Sequence, residues 1–370
     1  MKMDNLDEYF ILILENLHNY NFIHENMLRE GLAELKELIG LDNIKKNILD
    51  MLINILVNKN HEYFDKKNNI MNILITGEPG MAKTTLAKII GKILTASGYL
   101  NKNCINSNTE NNMKFINNRI NCINTCIDNI IKYIPEENYD KIKDIKYELY
   151  GHIQDINSYS KTEYKEYNYI FKEVSRDEII GRFQGHTANN VRKIFNDAKG
   201  GVIFFDEAYS IINSNNGDDD FGQECLDMIN KLMLEMSGEV IVIFAGYEDK
   251  IKDLLFSRQK GLESRFLWHF KINNYNTLEL CNIFLLQIKK FKFNIDFDIK
   301  YIINIIQNNN FKNYGRDTQK LLLHISTIYS IYKFKNPNIN DRIITKNMLD
   351  QALSKMNYNN DYNYNLNYYI

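Results

Sequence analysis

Apolar positions in roughly the first hundred residues recur at helical spacing and then give way to one continuous apolar run. Leu32 and Leu35 belong to a helical lead-in, because apolar residues three or four apart share one helix face. The run NIMNILIT ends at Gly77 and has the length of a buried strand. Leu86 and Ile90 then mark the face of another helix. The pattern predicts a strand, a glycine loop and a helix, in that order.

The same alternation returns beyond residue 170. A helix stripe through Val191 and Ile194 precedes the apolar run 202–205, and a second helix precedes the run 240–244. Strands that are apolar at every position are buried on both faces, as in a parallel sheet covered by helices. The sequence therefore predicts an α/β fold in which helices sandwich a parallel sheet.

Changes in this pattern divide the chain into four parts. Residues 1–32 are predicted to form an N-terminal helical extension, and 33–272 an α/β subdomain with a polar, low-complexity insertion at about 101–170. Helical periodicity then predominates, so residues 273–356 are predicted to be a small all-helical subdomain. The Asn- and Tyr-rich tail, residues 357–370, is predicted to be disordered.

Composition and charge argue against several classes of protein. The 45 basic and 47 acidic residues give a net charge of −2, so no overall basic field favours nucleic acid or an acidic membrane surface. No apolar segment has the length of a membrane span, and the acidic N-terminal run does not resemble a signal peptide, which predicts a cytoplasmic protein. Five cysteines, an odd number, suit reduced thiols in such a compartment.

The glycine loop GEPGMAKTT contains the residue types that bind phosphate. Gly77 and Gly80 let the backbone curl so that successive amide N–H groups point at an anion, at the N-terminus of the following helix. Lys83 is predicted to neutralise the β- and γ-phosphates of ATP, and the Thr84 hydroxyl to bind Mg²⁺. The predicted nucleotide-binding residues of the glycine loop are Gly77, Glu78, Pro79, Gly80, Met81, Ala82, Lys83, Thr84 and Thr85.

Ala82 stands where the usual spacing of a phosphate loop has glycine. The residue before the lysine is expected to have entered the helix already, where alanine is favourable and adds only a methyl group. Nucleotide binding is therefore expected to survive this difference. A glycine turn that binds nothing is the competing interpretation, and the flanking strand and helix argue against it.

A pair of acids follows a second predicted strand, in the segment GVIFFDEAYS. Asp206 is predicted to hold Mg²⁺ through water, while Glu207 polarises the water that attacks the γ-phosphate. Solvated acids at the end of a strand are common, so the pair alone is weak evidence. Asp206 and Lys83 are about 120 residues apart within one alternating pattern, and we expect them to meet at the tips of adjacent strands.

Together with six further segments, these two motifs make the chain similar to the AAA+ ATPases, and within them to the CbbX/CfxQ and SpoVK group. The matching segments span residues 38 to about 325, interrupted by the insertion. They are LIGLDNIKKNI, GEPGMAKTTLAKIIGKIL, EVSRDEIIGRFQGHTA, GGVIFFDEAYSI, DDDFGQECLDMINKLM, VIVIFAGYEDKI, GLESRFLWHF and NYGRDTQKLL. The resemblance implies a homo-oligomeric, hexameric ring that hydrolyses ATP and threads or remodels a protein client.

The resemblance also implies roles for residues that their surroundings do not reveal. Arg265 matches the arginine finger that reaches into the neighbouring subunit's site, and Arg316 matches the sensor-2 arginine on a helical lid, here residues 273–356. Phe183 matches the aromatic position of the first pore loop, where a large ring grips an extended polypeptide. The sensor-1 position departs from the usual Asn or Thr, and Tyr247 and Glu248 are both candidates to orient the water.

Two other functions remain open at this point. A nucleotide-gated assembly scaffold with negligible turnover fits Ala82 and the unusual sensor 1, whereas the predicted catalytic residues Glu207, Arg265 and Lys83 favour hydrolysis. A nucleic-acid translocase is disfavoured by the net charge of −2 and by the lack of a recognisable DNA-binding module. Reactivation of rubisco is a role of the CbbX branch, but likeness of fold does not determine the substrate.

Overall fold

The computed structural model describes most of the chain outside the predicted insertion. The described residues are 5–17, 20, 24–58, 71–100, 169–181, 185–212, 219–309, 311–338 and 341–366, with only the backbone given for 357–366. The described residues up to Leu100 and from Phe171 onward belong to one compact unit. The predicted insertion at about 101–170 lies, up to residue 168, outside the described residues.

Three helices precede the first strand. They are α1 (Leu6–Asn16), α2 (Glu25–Glu37) and α3 (Asp42–Asn58). The apolar stripe of α2, which includes Leu32 and Leu35, is buried. Gly31 lies on the same helix, where a Cβ atom would stand only 2.9 Å from Ile93 Cγ1. The helical lead-in that the apolar spacing predicts is therefore present and packs closely against the rest of the unit.

Five strands alternate with helices in the middle of the chain. In order they are β1 (Ile73–Thr76), α4 (Lys83–Ala96), β2 (Phe171–Glu173), α5 (Arg176–Ile179), α6 (His186–Asp197), β3 (Val202–Phe205), α7 (Asp220–Glu235), β4 (Ile241–Gly246), α8 (Glu248–Ile251), α9 (Lys260–Glu263) and β5 (Trp268–Lys271). A 3₁₀ helix, Ala208–Ile211, follows β3, and a π-helical turn, Lys252–Phe256, follows α8. Every residue of β1, β3 and β4 is buried, as expected for strands covered on both faces.

The five strands form one parallel sheet in the order β2-β3-β4-β1-β5. The predicted parallel sheet sandwiched by helices is confirmed. The expectation that the strands before Lys83 and Asp206 are adjacent is wrong, because β4 pairs with β1 on one side and with β3 on the other. Thr76 of β1 is level with Gly246 of β4. The residue that follows β4 consequently lies between the glycine loop and the acids.

The C-terminal part of the chain is helical, as the sequence predicts. Its helices are α10 (Thr277–Lys290), α11 (Ile299–Asn308), α12 (Gly315–Lys335) and α13 (Lys346–Leu366). Buried residues such as Phe284 and Leu322 form a hydrophobic cluster distinct from the cluster around the sheet. The boundary near residue 273 and the other boundaries predicted from the sequence remain predictions.

Two details of this part were not expected from the sequence. The two-residue strands β6 (Asn294–Ile295) and β7 (Ile343–Ile344) pair in parallel, and runs this short leave no periodicity to read. The backbone of α13 continues to Leu366, into the tail for which the sequence predicts disorder. None of the helices that the structure describes is both long and apolar enough to cross a bilayer.

The backbone of Ala82 differs from the expectation that this residue has already entered the helix. Ala82 is the N-cap of α4, with φ 57° and ψ 26°, which is the left-handed conformation. Helix propensity therefore does not explain the alanine, and a residue with a Cβ atom is destabilised by about 1–2 kcal/mol in this conformation. The chain must turn sharply here to enter α4. The loop therefore keeps a backbone conformation that glycine favours, and the alanine in that conformation is strained.

Replacement of Ala82 by glycine should raise the free energy of unfolding by up to about 1 kcal/mol, because the relief of strain exceeds the entropy that glycine adds to the unfolded chain. Ala33→Gly is the matched control. Ala33 is exposed within α2, and there the same change should lower the free energy of unfolding by about 1 kcal/mol. Urea denaturation of the three proteins measures both effects. Equal destabilisation by the two substitutions would contradict the left-handed assignment.

Candidate functional site

A cavity of about 350 Å³ opens at the edge of the sheet where β1, β3 and β4 end. Ligands of open parallel sheets bind at this carboxyl edge, because the loops that follow the strands converge there. The walls come from the turn between α2 and α3, the glycine loop, the residues after β3 and β4, and the helices α10 and α12. Stretches far apart in sequence thus enclose one space.

The glycine loop supplies much of this wall. Six of its nine predicted residues line the cavity, namely Pro79, Gly80, Ala82, Lys83, Thr84 and Thr85. Gly77, Glu78 and Met81 stand outside the lining. The Gly77 N–H group donates to the Gly246 carbonyl oxygen at 3.2 Å, which anchors the start of the loop to β4. The Met81 side chain is fully buried and anchors the middle of the loop.

Lys83 begins α4, and its side chain points back over the glycine loop. Its Nζ donates to the carbonyl oxygens of Gly77, at 2.9 Å, and Glu78, at 3.0 Å. Burial lowers the pKa of Lys83, and the nearby Asp206 carboxylate opposes that shift. An ammonium group carries three donors, so these two bonds leave one for an anion in the cavity.

A hydrogen bond joins the glycine loop to the acid pair. Thr84 Oγ1 donates to Asp206 Oδ2 at 3.1 Å, although the two residues are 122 positions apart in sequence. Asp206 Oδ1 accepts the Glu207 N–H group at 3.0 Å. The backbone of Glu207 is left-handed, with φ 49° and ψ 47°, and its exposed side chain lines the cavity beside Asp206. The structure therefore brings together the two motifs that the sequence singles out.

The oxygen atoms at this junction suit Mg²⁺. Hydroxyl and carboxylate oxygens are its preferred ligands, and a protein usually supplies only one or two of them while water and phosphate supply the rest. The pair Thr84 and Asp206 fits that pattern. Across the described ranges, no group of three or more His, Cys, Asp and Glu side chains is placed to hold a metal ion. The chemistry fits a cation that arrives together with a phosphate.

The surroundings of Tyr247 and Glu248 distinguish the two sensor-1 candidates. Tyr247 lines the cavity, and its ring centroid lies 5.7 Å from Lys83 Nζ. Glu248 is outside the lining, and its carboxylate accepts Lys252 Nζ at 2.6 Å and pairs with Lys271 Nζ at 2.7 Å. The bond from Lys252 and the pairing with Lys271 lower the pKa of Glu248 to about 2. Glu248 is thus already paired with two lysines, whereas Tyr247 lines the cavity.

Helix α12 begins directly against the glycine loop. Gly80 has φ +78°, and a Cβ atom there would collide with the carbonyl oxygen of Asn313. Glycine alone suits both the conformation and the contact. The buried Asp317 accepts the Asn313 N–H group at 2.8 Å, which holds the turn that precedes Arg316. Arg316 therefore lines the cavity from α12.

Several wall residues were not predicted from the sequence. Leu38 and Ile39, in the turn between α2 and α3, line the cavity although neither residue belongs to a phosphate-binding or metal-binding motif. From α10, the residues Ile283, Leu286, Gln287 and Lys290 line it at the spacing of one helix face. Apolar and amide side chains at helical spacing look like any packed helix. The available signal was the match of LIGLDNIKKNI to the AAA+ pattern, which places the turn but not α10.

The cavity lining does not account for two of the predicted residues. Arg265 follows α9 and is outside the lining, and its Nη1 donates to Ser264 Oγ at 3.3 Å. Its Nε is buried without a hydrogen-bond partner among the described residues. Phe183 and its two neighbours lie outside the described residues, so the pore role stays a prediction.

Comparison with known families and proteins agrees with this geometry. The family model for the ATPase family associated with various cellular activities (AAA) matches residues 159–266, and the MCM P-loop domain model matches residues 15–113. The first match contains the acid pair and Arg265, and the second contains the glycine loop.

Three relatives cover most of the chain at low identity. A cfxQ-like protein of Acanthamoeba polyphaga mimivirus is 27% identical, over 97% of this chain and 73% of that protein. A chloroplastic ribulose bisphosphate carboxylase/oxygenase activase of Cyanidioschyzon merolae is 26% identical, over 70% and 66%. Stage V sporulation protein K of Bacillus subtilis is 24% identical, over 90% and 78%. By these matches the chain is similar to the AAA+ ATPases, and among them to the CbbX/CfxQ and SpoVK group.

Proposed function

We propose that this AAA+ ATPase hydrolyses Mg-ATP in the cavity at the end of the sheet and uses the energy, as a homo-oligomeric ring, to thread or remodel a protein client. The observation that carries the proposal is the hydrogen bond from Thr84 to Asp206. It joins the glycine loop to the acid pair across β4, so that the groups needed for phosphate binding and for hydrolysis face one space. A glycine turn with no ligand would not require this junction.

The glycine loop and α4 bind the triphosphate. The N-terminus of α4 directs backbone N–H groups and the positive end of the helix dipole at a phosphate. Lys83 adds a partly desolvated cation, which attracts an anion more strongly than a solvated one. Mg²⁺, when bound, would neutralise the charge of the phosphates. Thr84 would hold it through its hydroxyl, and Asp206 would hold it through water.

Glu207 is the general base in this proposal. Its carboxylate takes a proton from the attacking water while the water oxygen bonds to the γ-phosphorus and the bond to the β,γ-bridging oxygen breaks. Two observations support separate duties for the two acids. The backbone at Glu207 is left-handed, and Thr84 donates a hydrogen bond to Asp206 but not to Glu207. Tyr247 occupies the sensor-1 position and orients the water beside Lys83.

Arg265 acts on the site of a neighbouring subunit. Its guanidinium stands outside the cavity of its own chain, and its planar fork suits charge spread over phosphoryl oxygens. Hydrolysis then depends on assembly, which is the arrangement expected of a hexameric AAA+ ring. Arg316 reports the nucleotide state to the helical lid from its place against Gly80. Phe183, on the first pore loop, contacts the client in the axial channel.

Glu207→Gln should retain ATP binding and lower the rate of phosphate release at least about a hundredfold, because the amide cannot take a proton from water. Glu235→Gln is the matched control, since Glu235 is exposed at the end of α7 and stands outside the cavity. A phosphate-release assay together with calorimetric ATP binding makes the comparison. Normal turnover in the Glu207 variant would refute the assignment, and negligible turnover in the parent protein would favour the assembly scaffold.

Arg265→Ala should lower turnover by about a thousandfold or more, the usual contribution of an arginine finger. Arg258→Ala, at an exposed arginine of the same region, should have little effect. Mixing the Arg265 variant with Lys83→Ala in equal amounts should restore about a quarter of the parent activity, because a quarter of randomly assembled interfaces pair an intact Lys83 with an intact Arg265. Mixed assemblies without any recovery would exclude a site shared between subunits.

Tyr247→Phe should lower turnover about tenfold with little change in ATP affinity, because the loss of one positioning hydroxyl acts on the barrier and not on the bound ground state. Glu248→Gln removes charge from a carboxylate that does not line the cavity and that pairs with Lys252 and Lys271, so its turnover should stay near that of the parent. Steady-state kinetics of both variants give kcat and KM. The reverse pattern would assign sensor 1 to Glu248.

A further inference from the structure

Gln287 has a polar atom that the protein does not satisfy. Its Oε1 is buried and has no hydrogen-bond partner in the part of the chain that the structure describes. Its Nε2 donates to the Gly315 carbonyl oxygen at 3.1 Å. A buried amide oxygen without a donor is destabilising, and such atoms in folded proteins usually meet a ligand or water.

The orientation of this amide follows from its one bond. Oxygen and nitrogen of a glutamine side chain are assigned from their partners, and the partner here is the Gly315 carbonyl, which only accepts. The nitrogen must therefore face Gly315, and the oxygen must be the unsatisfied atom. Any ligand group that satisfies Gln287 Oε1 must therefore be a hydrogen-bond donor.

The position of Gln287 in the cavity indicates which part of a nucleotide it meets. The glycine loop and the acid pair line one portion of the cavity and suit phosphates. Gln287 lies on the lining face of α10 together with Ile283 and Leu286, and Leu38 and Ile39 line the same cavity from the turn before α3. Apolar side chains of this kind pack against the flat face of a base or a ribose, and they offer nothing to a phosphate.

We propose that Gln287 determines nucleoside specificity by accepting a hydrogen bond, through Oε1, from the adenosine part of the nucleotide. Two groups of adenosine can donate it, namely the 6-amino group of the base and the 2′-hydroxyl of the ribose. The bond to Gly315 fixes the amide at the start of α12, so the same contact links recognition of the nucleoside to the helix that carries Arg316. The inference rests on the proposed nucleotide site and deepens it.

Calorimetry with nucleoside diphosphates tests the inference without hydrolysis. The full-length protein is titrated with ADP, with purine riboside diphosphate, which lacks the 6-amino group, and with 2′-deoxy-ADP. One of the two analogues should bind about tenfold more weakly than ADP, and its identity shows which group donates. Gln287→Met keeps the length of the side chain and removes the acceptor. The dissociation constants of this variant for that analogue and for ADP should therefore agree within about twofold.

Gln307→Met is the matched control, because Gln307 is exposed on α11 and does not line the cavity. It should keep the full preference of the parent protein. A preference for ADP that persists in the Gln287 variant, or equal binding of all three ligands by the parent, would overturn the inference. Failure of the parent protein to bind ADP at all would instead refute the nucleotide site, so the two outcomes are distinguishable. A Gln287 variant that weakens all three ligands alike would show a structural role only and would likewise overturn it.

Discussion

The parallel pairing of β4 with β1 on one side and β3 on the other is the constraint on which the rest of the structure depends. The carboxyl ends of parallel strands lie at the same edge of a sheet, so the residues that follow the strands are brought close together. The glycine loop follows β1, Asp206 follows β3, and Tyr247 follows β4 between them. Burial of the strands on both faces fixes this register, because a slip would expose apolar side chains or break the hydrogen-bond ladder.

Backbone strain is concentrated around the cavity that this edge creates. Among the described residues, five that are not glycine have positive φ, and four of them, Leu41, Ala82, Glu207 and Tyr314, lie in or beside the cavity walls. Each such residue costs about 1–2 kcal/mol, so the surrounding packing must hold them in place. At Glu207 the conformation sets one acid apart from its neighbour, and at Ala82 it turns the glycine loop into α4. The strain is therefore part of how the site is shaped.

The buried Lys45 stabilises the part of the cavity wall that the turn between α2 and α3 forms. Lys45 of α3 is only 5% exposed, and its Nζ donates to the carbonyl oxygens of Leu38, at 2.5 Å, and Lys36, at 3.4 Å. Burial lowers the pKa of Lys45. These bonds satisfy carbonyl groups at the end of α2, where a helix leaves its last acceptors without partners. The turn that contains Leu38 is thereby fixed at the cavity, and the N-terminal helices become part of the site.

The sequence by itself determined the features that depend on neighbouring residues. The strand, loop and helix around Lys83 and the acid pair after an apolar run are local patterns, and their residue types are those that bind phosphate and metal. The tertiary structure decided what depends on distant partners. The place of β4 between β1 and β3, the left-handed Ala82, the contact of Gly80 with Asn313 and the unsatisfied oxygen of Gln287 arise where segments far apart in sequence meet. Residue type and spacing do not encode such contacts, because a glutamine or an alanine is compatible with many environments until packing selects one.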